Sequence, residues 1–297
     1  MLEIKDLYKS YDKKEALRNV SLTVKPGEIH GLIGENSAGK TTLIKCAVGI
    51  YRADKGEITY DDKPVFDNPE VKVRIGYVAD YNDYIGYYKV KRMVKTYCYF
   101  YPKFSVERFN ELNQIFNIPV DLKISSLSKG QKMRLAYMME LSKEPDYLIL
   151  DEPTSGLDPV AKAKFFEILI NEVETRNIGV LISSHNLESL ERICDTVTML
   201  KSGEVEKQMT MDAMKEELTE LNVVFEGGAP KELSSFPDVL KISNVGSIYT
   251  LIVKNYDEKF MKKLKEMGAG LIEPVDISLE ELFIVLQSAT DKEGEHE

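Results

Sequence analysis

The sequence predicts an α/β protein: a mostly parallel sheet wrapped by helices, a helical insertion, and a small α+β unit toward the C-terminal end. Three observations carry this. Short continuous apolar runs alternate with amphipathic stretches through the first two thirds of the chain, the pattern of strands covered on both faces. A glycine-rich turn joins one such run to a helical stretch at residues 34–41. Beyond about residue 208 the order becomes strand, helix, strand, strand, helix, strand.

Taken in order, residues 22–24 lead as a strand into the turn Pro26-Gly27, residues 29–33 read as a buried strand, and residues 40–48 follow as a helix. The apolar run 147–150 ends at Asp151, and 180–183 is another such run, so these runs are expected to share one sheet. From about 77 to 141 the periodicity turns helical and aromatics are frequent, which predicts an inserted helical subdomain within a first domain of residues 1–208. Strands are expected at 222–226, 239–243, 249–253 and 271–274, with helices at 231–236 and 257–267. That order predicts a ferredoxin-like accessory domain over 209–290, closed by a helix at 279–287 and followed by a charged tail at 291–297.

The chain has 297 residues, 43% hydrophobic and 30% charged, the balance of a globular protein with a real core. Its 39 Lys and Arg face 49 Asp and Glu, a net charge of −10, which disfavours nucleic acid or anionic lipid as a partner bound by bulk electrostatics. Cys46, Cys98 and Cys194 are odd in number and have no metal-ligand spacing, which fits a reducing cytoplasm. No run of eighteen apolar residues and no apolar leader is present, so a role at a membrane would require a partner to bring the chain there.

The turn Gly34-Glu-Asn-Ser-Ala-Gly39-Lys40-Thr41 fits G-x-x-x-x-G-K-[ST] between a strand and a helix, the mark of a P-loop NTPase core. Such a loop turns the amides of Gly34, Asn36, Ser37, Ala38, Gly39 and the following Lys40, Thr41 and Thr42 toward a phosphate chain at the positive end of the helix. Lys40 is expected to reach the β- and γ-phosphates, and the Thr41 hydroxyl to ligate Mg2+. A magnesium nucleotide site also needs a carboxylate at a neighbouring strand end and a group to polarise water. Asp151 and Glu152 follow the run 148–150 and are expected to act as metal residue and general base. An acidic turn after a strand is common by itself; paired with Lys40 it gains meaning.

Three further runs extend the set: Leu127-Ser128-Lys129-Gly130-Gln131, then Ser155-Gly156-Leu157-Asp158, then Ser184-His185. In this order they resemble the nucleotide-binding subunit of an ATP-binding cassette (ABC) transporter over about residues 1–208. The resemblance implies that two such chains sandwich two ATP molecules, with Ser128, Gly130 and Gln131 facing the γ-phosphate bound on the opposite subunit. It implies that Asp158 belongs to the loop linking the two sites, that His185 contacts the γ-phosphate, and that Tyr11 stacks on adenine. Three positions depart from the family pattern. Ser37 stands where glycine is usual, and a serine held at positive φ is strained by about 1 kcal/mol. Lys129 replaces the second glycine of the signature run. Asp80 replaces a glutamine that touches metal or attacking water, and is assigned here to the metal site.

Tyr77, Tyr81, Tyr84, Tyr87, Tyr88, Tyr97, Tyr99 and Tyr101 are eight of the 16 tyrosines of the chain. They read either as the core of the helical subdomain or as a docking cleft for a cytoplasmic helix of a membrane partner. The expected function is that of the ATP-hydrolysing subunit of an ABC exporter, peripheral on the inner face of the cell membrane through a separate transmembrane permease and paired with a second cassette as homodimer or heterodimer. Residues 277–283 resemble the C-terminal extension of an exporter subgroup, which points to an amphipathic or antimicrobial peptide cargo by analogy. A soluble ABC ATPase acting on a macromolecular assembly is the alternative. Such proteins carry two cassettes or a long coiled coil, and this chain has one motif set and no sustained heptads between Lys40 and Asp151.

Overall fold

The structure, a computed structural model, describes all residues except Lys13, Asp83, Glu226, Gly227, Ala229, Lys231, Ser234, Ser235, Asn255 and 286–297. The chain divides into two compact units, one of Met1–Asn186 with Ile193–Gln208, the other of Leu187–Arg192 with the described residues from Met209 onward.

In the first unit, β1 (Leu2–Tyr11) and β2 (Lys14–Val24) pair antiparallel, with Leu2 opposite Val24. Then come β3 (Ile29–Gly34), α1 (Lys40–Ala47), β4 (Lys55–Tyr60), β5 (Lys63–Pro64), α2 (Pro69–Lys72) and β6 (Ile75–Val78). The insertion carries α3 (Val90–Phe100), α4 (Val106–Phe116) and α5 (Lys129–Leu141). It is followed by β7 (Tyr147–Asp151), α6 (Pro159–Arg176), β8 (Gly179–Ser183), β9 (Thr196–Lys201) and β10 (Glu204–Thr210), while α7 (Leu187–Glu191), between β8 and β9 in the chain, belongs to the second unit. One sheet has the order β2-β1-β4-β5, the other β10-β9-β3-β8-β7-β6, and in the second the five strands from β9 to β6 run parallel.

The apolar runs at 29–33, 147–150 and 180–183 thus share one parallel sheet, and every residue of β7 and β8 is buried. The run 22–24 does not belong to it: β2 alternates buried and exposed residues, the period of a half-covered strand, and pairs with β1 in the antiparallel sheet. Residues 77 and 78 also fall outside the helices, closing β6. Helix α1 carries Leu43, Ile44, Cys46 and Ala47 into a core shared with Leu2, Leu22, Ile149 and Leu181. Each such aliphatic side chain contributes about 1.5–3 kcal/mol when fully buried, and this core holds the end of α1 that follows the glycine-rich turn.

The second unit contains α8 (Met211–Glu217), β11 (Leu218–Phe225), β12 (Val239–Val245), β13 (Ile248–Lys254), α9 (Glu258–Glu266) and β14 (Ala269–Asp276). Its sheet is antiparallel in the order β12-β13-β11-β14. Phe260 and Leu264 of α9 pack on Leu221, Val223, Leu251 and Val253, and Asp257 caps α9 by accepting from the Phe260 amide. Of the helix expected at 231–236, residues 232–233 form a 3-10 turn and several others lie outside the described residues. Residues 279–285 are helical; 286–287 and the tail 291–297 lie outside the described residues.

Candidate nucleotide site

In a parallel sheet the strands all present their carboxyl ends to one edge, where ligands bind. Here β3 ends at Gly34, β6 leads to Asp80, β7 ends at Asp151 and β8 leads to His185. Tyr11, Asn36, Ser37, Gly39, Lys40, Thr41, Thr42, Asp80, Asp151, Glu152 and His185 line one cavity of about 330 Å³, together with Lys14 and Ala16.

The loop wall is set by backbone geometry. Gly34, Ser37 and Gly39 have φ of 152°, 71° and 108°. A Cβ at Gly34 would sit 2.3 Å from the Leu200 carbonyl oxygen, and one at Gly39 2.7 Å from that of Ala16, so both positions demand glycine for space as well as for φ. No side chain caps the first turn of α1, which leaves its amides and the positive helix end to a ligand. Ala38 is buried beneath the loop. The Lys40 ammonium donates to the carbonyls of Gly34 at 2.7 Å and Glu35 at 2.9 Å. Burial lowers its pKa, while Glu152 and Asp151 work to keep it charged.

Ser183 organises the facing wall. In the β7–β8 register Asp151 lies opposite Ser183, whose hydroxyl donates to Asp151 Oδ1 at 2.8 Å and accepts from the Glu152 amide at 3.1 Å. Thr41 Oγ1 approaches Asp151 Oδ1 at 3.4 Å. Glu152 Oε2 accepts from the His185 amide at 3.2 Å; its Oε1 lies 3.2 Å from His185 Nε2, yet is buried without a hydrogen bond among the described residues. Burial pushes the Glu152 carboxyl above its ordinary range and Asp151 adds to this, against His185 and Lys40. A hydroxyl beside a carboxylate, facing open loop amides, fits a magnesium nucleotide, because Mg2+ takes one or two protein oxygens and completes its shell with phosphate and water. At the far end Tyr11 meets Tyr51 edge-on, with ring centroids 5.8 Å apart, and the Lys9 ammonium lies over the Tyr11 ring at 5.8 Å from its centroid.

Ser128, Gly130, Gln131 and Asp158 do not line this cavity. Ser128 and Gln131 close a reciprocal capping box on α5. Asp158 caps α6 by accepting from the Ala161 amide at 2.9 Å, and backbone hydrogen bonds hold its carboxyl below the ordinary value. The two departures in sequence meet: Lys129 Nζ lies 3.7 Å from Asp80 Oδ1 and donates to Ser155 Oγ at 2.8 Å. Ser183 and Tyr51 were missed by sequence reasoning. For Ser183 the usable signal was its place at the end of a strand beside the acidic one.

The tyrosines divide. Tyr81, Tyr87 and Tyr99 are 71%, 71% and 84% exposed, whereas Tyr77, Tyr84, Tyr97 and Tyr101 line a groove of about 280 Å³ with Ile50, Asn82, Glu140 and Lys143. At its floor Glu140 accepts from the Tyr77 amide, the Tyr97 hydroxyl and the Lys143 ammonium, so the groove is polar below and aromatic at its walls.

A family profile described as ABC transporter matches residues 17–155. The chain is 32% identical over 284 residues to the ABC transporter ATP-binding protein YtrB of Bacillus subtilis, covering 96% of this chain and 97% of that protein, the second unit included. It is 28% identical over 218 residues to the bacitracin transport ATP-binding protein BcrA of Bacillus licheniformis, covering 72% of this chain and 71% of that protein. A solved structure of an ATP-binding subunit of an ABC transporter superposes with a TM-score of 0.68 at 28% identity, over 72% of this chain and 92% of its own. The chain therefore belongs to the ABC transporter ATP-binding proteins and is an ATP-binding ATPase of that family.

Proposed function

We propose that this chain drives an exporter by hydrolysing magnesium ATP, working as one of two cassettes on a separate transmembrane permease at the inner face of the cell membrane. The observation that carries the reading is the convergence of four parallel strand ends on one cavity holding Lys40, Thr41, Asp151, Glu152 and His185. The loop amides and Lys40 bind the β- and γ-phosphates. Thr41 and Asp151, with Asp80 beside them, hold the metal, which when bound neutralises charge on the phosphate oxygens. Glu152, its pKa raised by burial, takes the proton of the attacking water, and His185 orients Glu152 and the γ-phosphate. Tyr11 stacks on the base.

Ser128, Gly130 and Gln131 act on the nucleotide of the second cassette, where the positive end of α5 and a small residue at Gly130 suit a phosphate. Asp158 sets the loop between the two sites. The tyrosine groove is the seat for a helix of the permease. Among the described residues no helix is long and apolar enough to cross a membrane, which fits a division of labour with such a partner.

Residues 1–208, with a helical subdomain at about 77–141, form the ATPase domain, and 209–290 an accessory domain. Its strand order supports a ferredoxin-like fold. An amphipathic peptide is the cargo proposed, and the relative named for bacitracin transport supports it. The test is recovery of the tagged chain from gently solubilised native membranes. A polytopic membrane protein in the complex is the expected result; recovery only with soluble assemblies would overturn the transport reading.

A further inference from the structure

We propose that Lys129 is a positioning residue for ATP hydrolysis, tying Asp80 in the nucleotide cavity to the first turn of α5 and to the turn after Glu152 within the same chain. The inference rests on the reading of that cavity as the ATP site. Lys129 is the first residue of α5. Its ammonium donates to Ser155 Oγ at 2.8 Å and stands 3.7 Å from Asp80 Oδ1. Its stem lies across Gly156, where a Cβ would be 3.3 Å and 3.4 Å from the lysine Cδ and Cγ. A Cβ on Gly130 would come within 2.6 Å of the Gly156 carbonyl oxygen. The start of α5 is therefore seated on the 155–156 turn by close backbone approach, and Lys129 extends from that seat to the loop after β6.

A lysine in this position works against the helix. The first turn of α5 has no acidic residue, and a cation there opposes the positive end of the macrodipole. Local chemistry favours an acid or a neutral residue at this position, and such a conflict is characteristic of a functional position. The carboxylate of Asp80 compensates it from outside the helix. Both side chains are more than half exposed, so the pair is weak and easily remade, as suits a contact that changes when nucleotide engages Asp80. Ser155 lies three residues after Glu152 and its amide donates to the Glu152 carbonyl at 3.1 Å, so the ammonium holds the general-base turn and the metal-side carboxylate together.

The test is steady-state ATPase activity of the full chain with Lys129→Gln, Lys129→Arg, Asp80→Asn and the double variant Asp80→Asn/Lys129→Gln. Glutamine keeps the stem over Gly156 and removes the charge. The expected result is a fall in kcat of about threefold for Lys129→Gln with KM for ATP little changed, recovery with arginine, and no further loss when Lys129→Gln is added to Asp80→Asn. An unchanged kcat, or an equal loss in both backgrounds, overturns the proposal. So does an effect on KM alone, which would assign Lys129 to the partner's phosphates.

If Asp80→Asn is too slow for kinetics, hydrogen exchange decides. ATP added to the Glu152→Gln chain is expected to alter exchange at residues 128–133, and Lys129→Gln and Asp80→Asn are each expected to diminish that response; a full response in either overturns the bridge. A parent chain that does not hydrolyse ATP, or a Glu152→Gln chain as active as the parent, would instead sink the reading of the site.

Discussion

Ser37 holds φ at 71° in the glycine-rich loop of the cavity, a region that costs a residue bearing a Cβ about 1–2 kcal/mol. Its side chain is exposed, so nothing packed is lost by removing it. Ser37→Gly is expected to raise Tm by about 2–4 °C while leaving KM for ATP within about twofold, measured by calorimetry and steady-state kinetics; a lower Tm would show that serine is not strained there. Glu152 also sits at positive φ, 50°, and its carboxylate meets the His185 amide and ring at 3.2 Å each. A base works deprotonated, and burial raises this carboxyl above the ordinary glutamate value. The acidic limb of the kcat/KM profile is therefore expected above the ordinary glutamate range and falls away as pH drops through it; a limb at or below that range would remove Glu152 from the role. That the motif residues meet at one cavity was legible, because binding a phosphate chain at a strand–helix turn constrains both residue type and spacing. Ser183 was not, since its hydroxyl acts only through a strand register formed by residues far apart in sequence.

The strands at 29–33, 147–150 and 180–183 could be read from sequence because a strand covered on both faces must be apolar throughout. The pairing of β1 with β2 and β4 could not, because Leu2 finds Val24 and Tyr60 as neighbours only in the folded sheet. The tyrosine cluster shows the same limit: its count signalled a surface of interest, but only helix orientation separates Tyr97 in the groove from Tyr99 in solvent. At the start of β3, Glu28 ties the turn to the sheet. Burial raises its pKa, but the His30 ring 3.5 Å away, the Lys25 amide and Thr196 outweigh this and hold it at about 2. A carboxyl depressed on folding adds stability above its unfolded pKa, and that stability drains as pH falls toward the folded value. The fold is thus expected to lose about 2–3 kcal/mol from this group between about pH 5 and pH 2. Denaturant midpoints of the parent and Glu28→Gln chains at pH 7 and pH 3 would show it, with the variant less acid-sensitive; parallel acid responses would refute the assignment.

One chain brings the glycine-rich loop, Thr41, Asp151 and Glu152 to one cavity, yet leaves Ser128, Gly130 and Gln131 outside it. Ser128 and Gln131 cap α5, whose start does not line the chain's own cavity, so on the proposed reading the catalytic set is complete only when a second cassette supplies them. On that reading closure is driven by ATP and released by its hydrolysis. Blocking the chemical step without disturbing binding must hold the closed state, because a ligand bound across the interface stabilises the pair by mass action. Glu152→Gln keeps the shape of the side chain and removes the base. In ATP the variant is expected to elute at twice the 33.8 kDa of one chain, and without nucleotide or in ADP as a single chain. Adding Gly130→Arg, which places a bulky side chain where even a Cβ would meet the Gly156 carbonyl oxygen at 2.6 Å, is expected to abolish the ATP-dependent species while ATP binding to the monomer persists. A Glu152→Gln chain that stays monomeric in ATP, yet binds it with the parent's affinity, would mean that a homodimer is not the working state and that a different cassette completes the site.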